Sequence, residues 1–278
     1  MISILQGNLH RSRTADDLLT HLVYEKKADL LLLCEQYQDR EVSTWFADNT
    51  GTAAISVRNG DKVPVDDHGS GAGFFWIRSR WTTFVSVYLT PNEPINDFEV
   101  KLEGLEEAIQ DMEGGIVIAS DFNAEAVEWG MPKSNPRGKR IMEMAARRGL
   151  IVLNTGASTF RRPGQRETTP DVSFASENMA GNVVNWRVME EFTGSDHEYI
   201  TLQKQRENKA LKAYTRRQKR WNVRKLNEEK FANVITSKPE TAVKTRGCTE
   251  TKEDSVNVVE QTMALIEQAC DAAMPRKS

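Results

Sequence analysis

The chain has 278 residues, an apolar share of 39% and a charged share of 28%, which fits a soluble globular protein with a full core. No stretch approaches the roughly 18 consecutive apolar residues of a membrane span, and the first residues lack the ordered regions of a secretory signal. Three scattered cysteines (Cys34, Cys248, Cys270) exclude a disulfide scaffold or a zinc cage and point to a reduced, intracellular protein. With only His10, His21, His68 and His197 available, a bound metal is expected to be a hard ion on oxygen ligands. The net charge of −3 is uneven: residues 1–203 carry 20 Lys+Arg against 30 Asp+Glu, and residues 204–230 carry 11 against 3. An acidic first region argues against DNA binding by bulk charge. A divalent cation inverts the local field of such a region, however, and phosphate contacts are made by local patches.

Taken in chain order, residues 2–5 read as a strand, 14–27 as a helix, and 29–33 as a buried strand ending at Cys34-Glu35. Residues 53–57, 72–77 and 82–89 read as successive strands, with turns expected at Asn59-Gly60 and across residues 69–73. Phe98, Leu102, Leu105 and Ile109 recur at helical spacing within 96–112, and Gly114-Gly115 should end that helix. Residues 116–119 form a strand leading into Asp121. A helix over 138–148 and strands over 151–153, 172–174, 183–188 and 199–202 follow. Strands this numerous, some adjacent and some joined through helices, predict an α/β fold: a two-sheet α/β sandwich flanked by helices. Composition shifts near Lys204. Residues 1–203 are read as one domain and 204–278 as a basic linker and helical appendage, with an amphipathic helix over 254–273.

Polar residues collect at the ends of these strands: Asn8, Glu35, Asp121, Asn123, and the pair Asp196-His197. Ligand sites of α/β proteins form where strand ends converge. Any one of these residues has a plainer reading as a turn or cap former. As a set they supply the parts of metal-assisted hydrolysis: oxygen ligands, a base for water, and donors for developing charge. Trp129, Trp186 and Phe160 are read as core aromatics.

The segments S-D-F-N-A (residues 120–124) and S-D-H (195–197) resemble the endonuclease/exonuclease/phosphatase superfamily. More narrowly, L-Q-G-N-L-H-R-S (5–12), L-C-E-Q-Y (33–37), V-Y-L-T-P-N (87–92), E-W-G (128–130), L-N-T-G (153–156) and the T-F then P-D-V-S-F spacing of 159–174 follow an order similar to that in apurinic-type endonucleases of insect non-LTR retrotransposons. The resemblance covers residues 1–202. W-N-V-R-K-L-N from Trp221 and A-C-D-A-A-M-P-R near the end resemble the stretch preceding the reverse transcriptase of such elements. Ser120 stands where the family usually has Gly, and Gln36 where it often has Pro; neither change touches a reacting group.

The resemblance implies a Mg²⁺-dependent endonuclease, with Mn²⁺ an alternative ion, that cuts double-stranded DNA to a 3′-hydroxyl and a 5′-phosphate for priming reverse transcription. It implies Glu35 and Asn8 as metal ligands, and His197 as a group that contacts the scissile phosphate or helps activate water. Asp171 would fix the imidazole, Asp121 would act on water or on the leaving group, and Asn123 would orient that water. Tyr88 would donate to the phosphate, and Asp196 would position water or the leaving side. Arg161, Arg162 and Arg166 lie in a loop that reaches DNA in this family; the plainer reading is a solvated loop. The basic run of 204–230, with Tyr214 and Trp221 interleaved, either tracks a nucleic-acid backbone or is a solvated linker. Nuclear localisation, and the element's RNA or a reverse transcriptase in a longer parent polypeptide as partners, are further expectations; no membrane partner is expected. Two other readings stand beside the nickase: a repair endonuclease or phosphatase of the same superfamily, and a non-catalytic fragment that ends before any polymerase motif.

Overall fold

The computed structural model describes residues 1–164, 166–205, 226–236, 262, 264–266 and 268–275. It contains two compact units, Met1–Leu211 and Lys212–Ser278.

The first unit is built from two six-stranded mixed sheets. The first sheet contains β1 (Ile2–Asn8), β2 (Leu30–Cys34), β3 (Trp45–Ala47), β4 (Ala53–Val57), β11 (Val183–Val188) and β12 (Ile200–Lys204), in the order β11-β12-β1-β2-β4-β3. The second contains β5 (Asp67–Gly71), β6 (Phe74–Ser79), β7 (Thr82–Tyr88), β8 (Gly115–Asp121), β9 (Leu150–Val152) and β10 (Asp171–Ser176), in the order β5-β6-β7-β8-β10-β9. Each sheet has one parallel pair, β1 with β2 and β7 with β8. Parallel neighbours need a crossover, which α1 (Arg13–Lys26) and α2 (Ile95–Gln110) provide. Helices α3 (Pro136–Arg148) and α4 (Glu177–Ala180) complete this unit.

The strand Leu30-Leu31-Leu32-Leu33 has no alternation because both of its faces are covered. Leu30 and Leu32 enter the core between the sheets, against Phe84, Val117 and Ala119. Leu31 and Leu33 pack under α1 with Leu19, Leu22 and Val23. In the second sheet Ile116 and Ile118 meet α2 and α3 through Leu102, Leu105, Ile141 and Met144. The layers therefore run helix, sheet, sheet, helix, and β2 and β8 are clamped from both sides. Burying each of these side chains contributes about 1.5–3 kcal/mol, so the two central strands are firm platforms for whatever their ends carry.

Local signals set the helix bounds. Ser12 caps α1 by accepting from the Ala15 N–H at 3.2 Å, and Lys27 closes it in the left-handed region. Asn135 caps α3, Pro136 fills its first turn, and Gly149 ends it. The turn expected across residues 69–73 is shorter than that. Gly69, Ser70 and Gly71 belong to β5, an edge strand whose mixed Gly and polar sequence carries no alternation. Strand β3, three residues long, is likewise absent from the sequence pattern.

In the second unit, α5 (Glu228–Thr236) is a helix, and the described residues between 262 and 273 are helical. The Asn227 N–H donates to the Ala273 carbonyl and ties the two segments together. Tyr214, Trp221, Cys248 and the beginning of the helix expected over 254–273 lie outside the described residues. Among the described residues no helix is long and apolar enough to cross a membrane.

Candidate active site

Strand register places the site. Tyr88, Asp121 and Asp171 stand abreast on β7, β8 and β10: Tyr88 pairs with Asp121, and Asp121 with Asp171. In the facing sheet Asn8 pairs with Cys34 at the ends of β1 and β2, which sets Glu35 one residue further out. Both sheets thus present polar residues along the same edge.

At its centre the Asp171 carboxylate accepts from His197 Nδ1 at 2.8 Å and from the Thr159 hydroxyl at 2.7 Å. Side chains Asp171 and His197 are 3% and 5% exposed, so this pair works in a low-dielectric setting. The Asn8 amide donates to Asp121 Oδ2 at 2.7 Å and to Glu35 Oε2 at 3.1 Å, joining the two sheets. The Asn123 N–H holds the other Asp121 oxygen at 3.0 Å, while its side-chain amide donates to the Leu89 carbonyl. Tyr88 stands beside Glu35 and Asp121, whose charges act on its hydroxyl. Asn8, Glu35, Tyr88, Asp121, Asn123, Asp171 and His197 therefore come together. Asp196 stands at the rim, where Arg162 Nε donates to it at 2.7 Å.

Electrostatics follow from burial. Desolvation, then the charge of Asp171, pushes Asp121 up to about 7. Burial pulls His197 down, but Asp171 outweighs it through charge and hydrogen bond, with Asp121 and Glu35 adding; the imidazole ends at about 9. Burial, then the charge of Glu35, raises the Tyr88 hydroxyl and keeps it a donor.

The backbone is strained at this edge. His10, Arg11, Glu35 and Asn123 all adopt positive φ, between 47° and 51°. Asn tolerates this region, whereas His, Arg and Glu lose about 1–2 kcal/mol each. Ladder-like bonds hold them there: Glu35 N–H to the Thr52 carbonyl, Arg11 N–H to the Glu35 carbonyl, and Leu9 N–H to the Cys34 carbonyl. Strain of this kind concentrates at functional sites.

A cation fits the donor set. Glu35, Asp121 and Asp171 crowd one pocket, and among the described ion pairs only histidines face them. The ligating atoms of Asp121, Asp171 and His197 lie within 4.8 Å of one another, a candidate metal site by proximity. Asp171 and His197 are already joined by a short hydrogen bond, which favours the more open Glu35, 17% exposed and without a Lys or Arg ion-pair partner among the described residues, as the ligand that faces outward.

Several residues at the site escaped the sequence reading. His10 sits 3.8 Å from Glu35 and 3.9 Å from Asp196. Thr159 supports Asp171. The Ser195 hydroxyl donates to the Asn8 carbonyl and accepts from the His197 N–H, bracing S-D-H against β1. All three lie inside the motifs named above, and that is the signal that could have found them. Phe160 is not a core aromatic. It is half-buried, bridges to His197 along the backbone, and sets its ring edge-on to the imidazole at 4.9 Å between centroids. Trp129 is fully buried, and Trp186 donates to the Ser173 hydroxyl. Ser120, in place of the family's Gly, donates to the Val172 carbonyl at 2.8 Å within the sheet. Arg161 pairs with Glu167, and Arg166 is exposed.

Comparison with known proteins agrees with this geometry. Residues 82–201, from β7 into β12, match the family described as Endonuclease-reverse transcriptase. The endonuclease domain of TRAS1, a telomere-specific non-LTR retrotransposon, superposes with a TM-score of 0.64 at 27% identity, covering 75% of this chain and all of that one. The chain carries the endonuclease fold of non-LTR retrotransposons. The RNA-directed DNA polymerase from mobile element jockey of Drosophila melanogaster is 38% identical over 81 residues, 28% of this chain; the chain spans 8% of that relative's length. An AP endonuclease from Archaeoglobus fulgidus shares the fold at 14% identity and a TM-score of 0.59, covering 73% of this chain and 99% of that one.

Proposed function

We propose that this retrotransposon-type nuclease is a Mg²⁺-dependent DNA endonuclease that nicks duplex DNA, leaving a 3′-hydroxyl for target-primed reverse transcription and a 5′-phosphate. The carrying observation is the Asp171–His197 pair beside Asp121, joined through Asn8 to Glu35 on the facing sheet. Glu35 would hold the ion with Asn8 beside it, and few protein ligands are what Mg²⁺ accepts; Mn²⁺ would serve in its place. When bound, the ion would supply charge neutralisation at the phosphate and the departing oxygen.

The chain's own groups divide the remaining work. Asp121, buried and with its proton affinity shifted toward neutrality, takes a proton from the attacking water, which Asn123 orients. His197, its Nδ1 committed to Asp171, presents Nε2–H to a phosphate oxygen, and Tyr88 donates to the same phosphate. Asp196 positions the leaving side. Arg161, Arg162 and Arg166 place the loop of residues 160–169 on DNA. Residues 1–203 are the catalytic domain and 204–278 an appendage. A nuclear location and an association with the element's RNA or reverse transcriptase belong to the same reading.

The test is nicking of supercoiled plasmid by the full chain in Mg²⁺ and in EDTA, with product ends mapped by ligation and polymerase extension. Nicks that are extendable and stop in EDTA are expected. Intact plasmid in both Mg²⁺ and Mn²⁺ would overturn the reading in favour of a non-catalytic fragment, and preference for abasic duplex would favour a repair enzyme.

A further inference from the structure

The three arginines of the loop over residues 160–169 are not equivalent. Arg166 points into solvent, and Arg161 pairs with Glu167 at 3.5 Å. Arg162 is locked into the catalytic edge on three sides. Its Nε donates to Asp196 Oδ2 at 2.7 Å, its Nη2 lies 3.2 Å from His10 Nε2, and its guanidinium sits over the Phe160 ring at 5.5 Å. The same Phe160 ring meets the His197 imidazole edge-on. His10 in turn stands between the two halves of the site, near Glu35 on one side and 6.3 Å, ring to ring, from His197 on the other.

The hydrogen-bond chemistry fixes the direction of this chain. A guanidinium only donates, so in its contact with Arg162 the His10 Nε2 is the acceptor. The strained φ of 48° at His10 is what swings its ring to this place, and the Asn8 Oδ1 to His10 N–H bond at 2.7 Å holds the strain. The Arg162 side chain remains 40% exposed, and its bonds to Asp196 and His10 use Nε and Nη2, leaving Nη1 outside them.

The geometry points to His10 as a positioning residue for Arg162, and to Arg162 as a clamp on the phosphodiester being cut rather than a reader of sequence. This rests on the nuclease reading above. A planar fork of donors held by Asp196, Phe160 and His10 is pre-organised for two phosphate oxygens. The Phe160 ring that it covers also meets His197, which places the fork toward the reacting phosphate, where charge develops, and not along the groove. His10 touches no substrate in this arrangement; it acts through Arg162.

The test is single-turnover nicking by the full chain at saturating duplex DNA in Mg²⁺, with nick positions sequenced. Arg162→Ala should lower the rate constant about 10- to 100-fold while leaving nick positions unchanged. His10→Leu should lower it about 5- to 10-fold, within the net worth of one typical hydrogen bond. His10→Gln, which keeps an acceptor of similar reach, should restore most of that loss. The double variant Arg162→Ala/His10→Leu should be no slower than Arg162→Ala alone, because one acts through the other. Thermal melting separates these effects from unfolding. Additive losses in the double variant would remove the positioning role of His10. A wild-type rate in Arg162→Ala, or an altered nick pattern, would make Arg162 a reader or a bystander. A wild-type chain that cuts nothing fails before any variant is compared, and takes the nuclease reading and the clamp with it.

Discussion

The catalytic edge has an inner half and a rim, and they are built on opposite terms. In the inner half Asp121, Asp171 and His197 are buried; Asp171 and His197 are hydrogen-bonded to each other, Asp121 to Asn8 and Asn123, and Asp121 and His197 are shifted in proton affinity. At the rim Glu35, His10, Asp196 and Arg162 are partly exposed and linked by mixed interactions, one short bond between Arg162 and Asp196 and two contacts of 3.8 and 3.9 Å through His10. Burial makes the inner groups chemically unusual and immobile; exposure leaves the rim able to meet a polyanion and a cation. The inner half suits bond-making steps and the rim suits holding, so substitutions in the two should fail differently.

The sharpest break is expected in the inner half. His197→Ala and Asp121→Ala should each reduce nicking by about 10²-fold or more, with wild-type circular dichroism. Near-wild-type rates in either variant would show that the buried groups are structural. Asp171→Asn should follow, with a loss of about 10- to 100-fold: it removes the charge that holds the imidazole protonated, and burial then pulls His197 down. NMR titration of the His197 ring in that variant reads the shift directly, and an unmoved ring would assign its high value to some other neighbour.

Much of the site was legible in the sequence, because apolar runs such as 30–33 and 116–119 announce buried strands and the polar residue that ends each one stands out. Asn8, Glu35, Asp121 and the pair Asp196-His197 were visible on that ground, and Asp171 and Tyr88 through the resemblance alone. Two residues were harder to read. His10 follows Leu9 in a loop, and only its left-handed backbone, invisible in a sequence, turns it toward Glu35 and Asp196. Phe160 looked like core because an aromatic residue carries no mark of the ring it will meet. In the fold, β5 and β3 were missed for a related reason: edge strands that bury little need no alternation.

A smaller effect tests whether the inner half is destabilised for its chemistry. Asp121 and His197 both have folded-state values raised above their ordinary ones. Each contributes stability that is fully present below its unfolded value, about 3.8 for Asp121 and 6.5 for His197. That stability is lost as pH rises through about 7 and about 9 respectively. In EDTA the protein should therefore melt at a lower temperature at pH 8.5 than at pH 6, and Mg²⁺ should narrow the gap. Asp121→Asn removes the buried charge but turns one oxygen into a donor facing Asn8 or Asn123. The net gain at pH 8.5 should be on the order of 1–2 kcal/mol, read from urea midpoints at constant slope. A destabilised variant at that pH would mean that the hydrogen bonds outweigh the charge.

The smallest effect belongs to the rim's outermost part. On the proposed reading the acidic pocket would meet a phosphodiester that is the same at every step of a duplex, so it could not select a target; groove contacts and local deformability could. Arg166 is exposed, and Arg161 is engaged by exposed Glu167 and acts on Glu198 through its charge alone, so both are available to DNA in a way that Arg162 is not. Removing one Arg–phosphate interaction lowers the dependence of log affinity on log salt by roughly 0.9. Arg161→Ala/Arg166→Ala should therefore flatten that slope by about one to two units and redistribute nick positions on a pool of duplexes, while the rate at saturating DNA falls by only a few-fold. Arg162→Ala should show the reverse: a large fall in rate with nick positions kept. If the double variant instead lost rate and kept its pattern, the loop would act as a single unit on the reacting phosphate, and the division between an inner clamp and an outer reader would not hold.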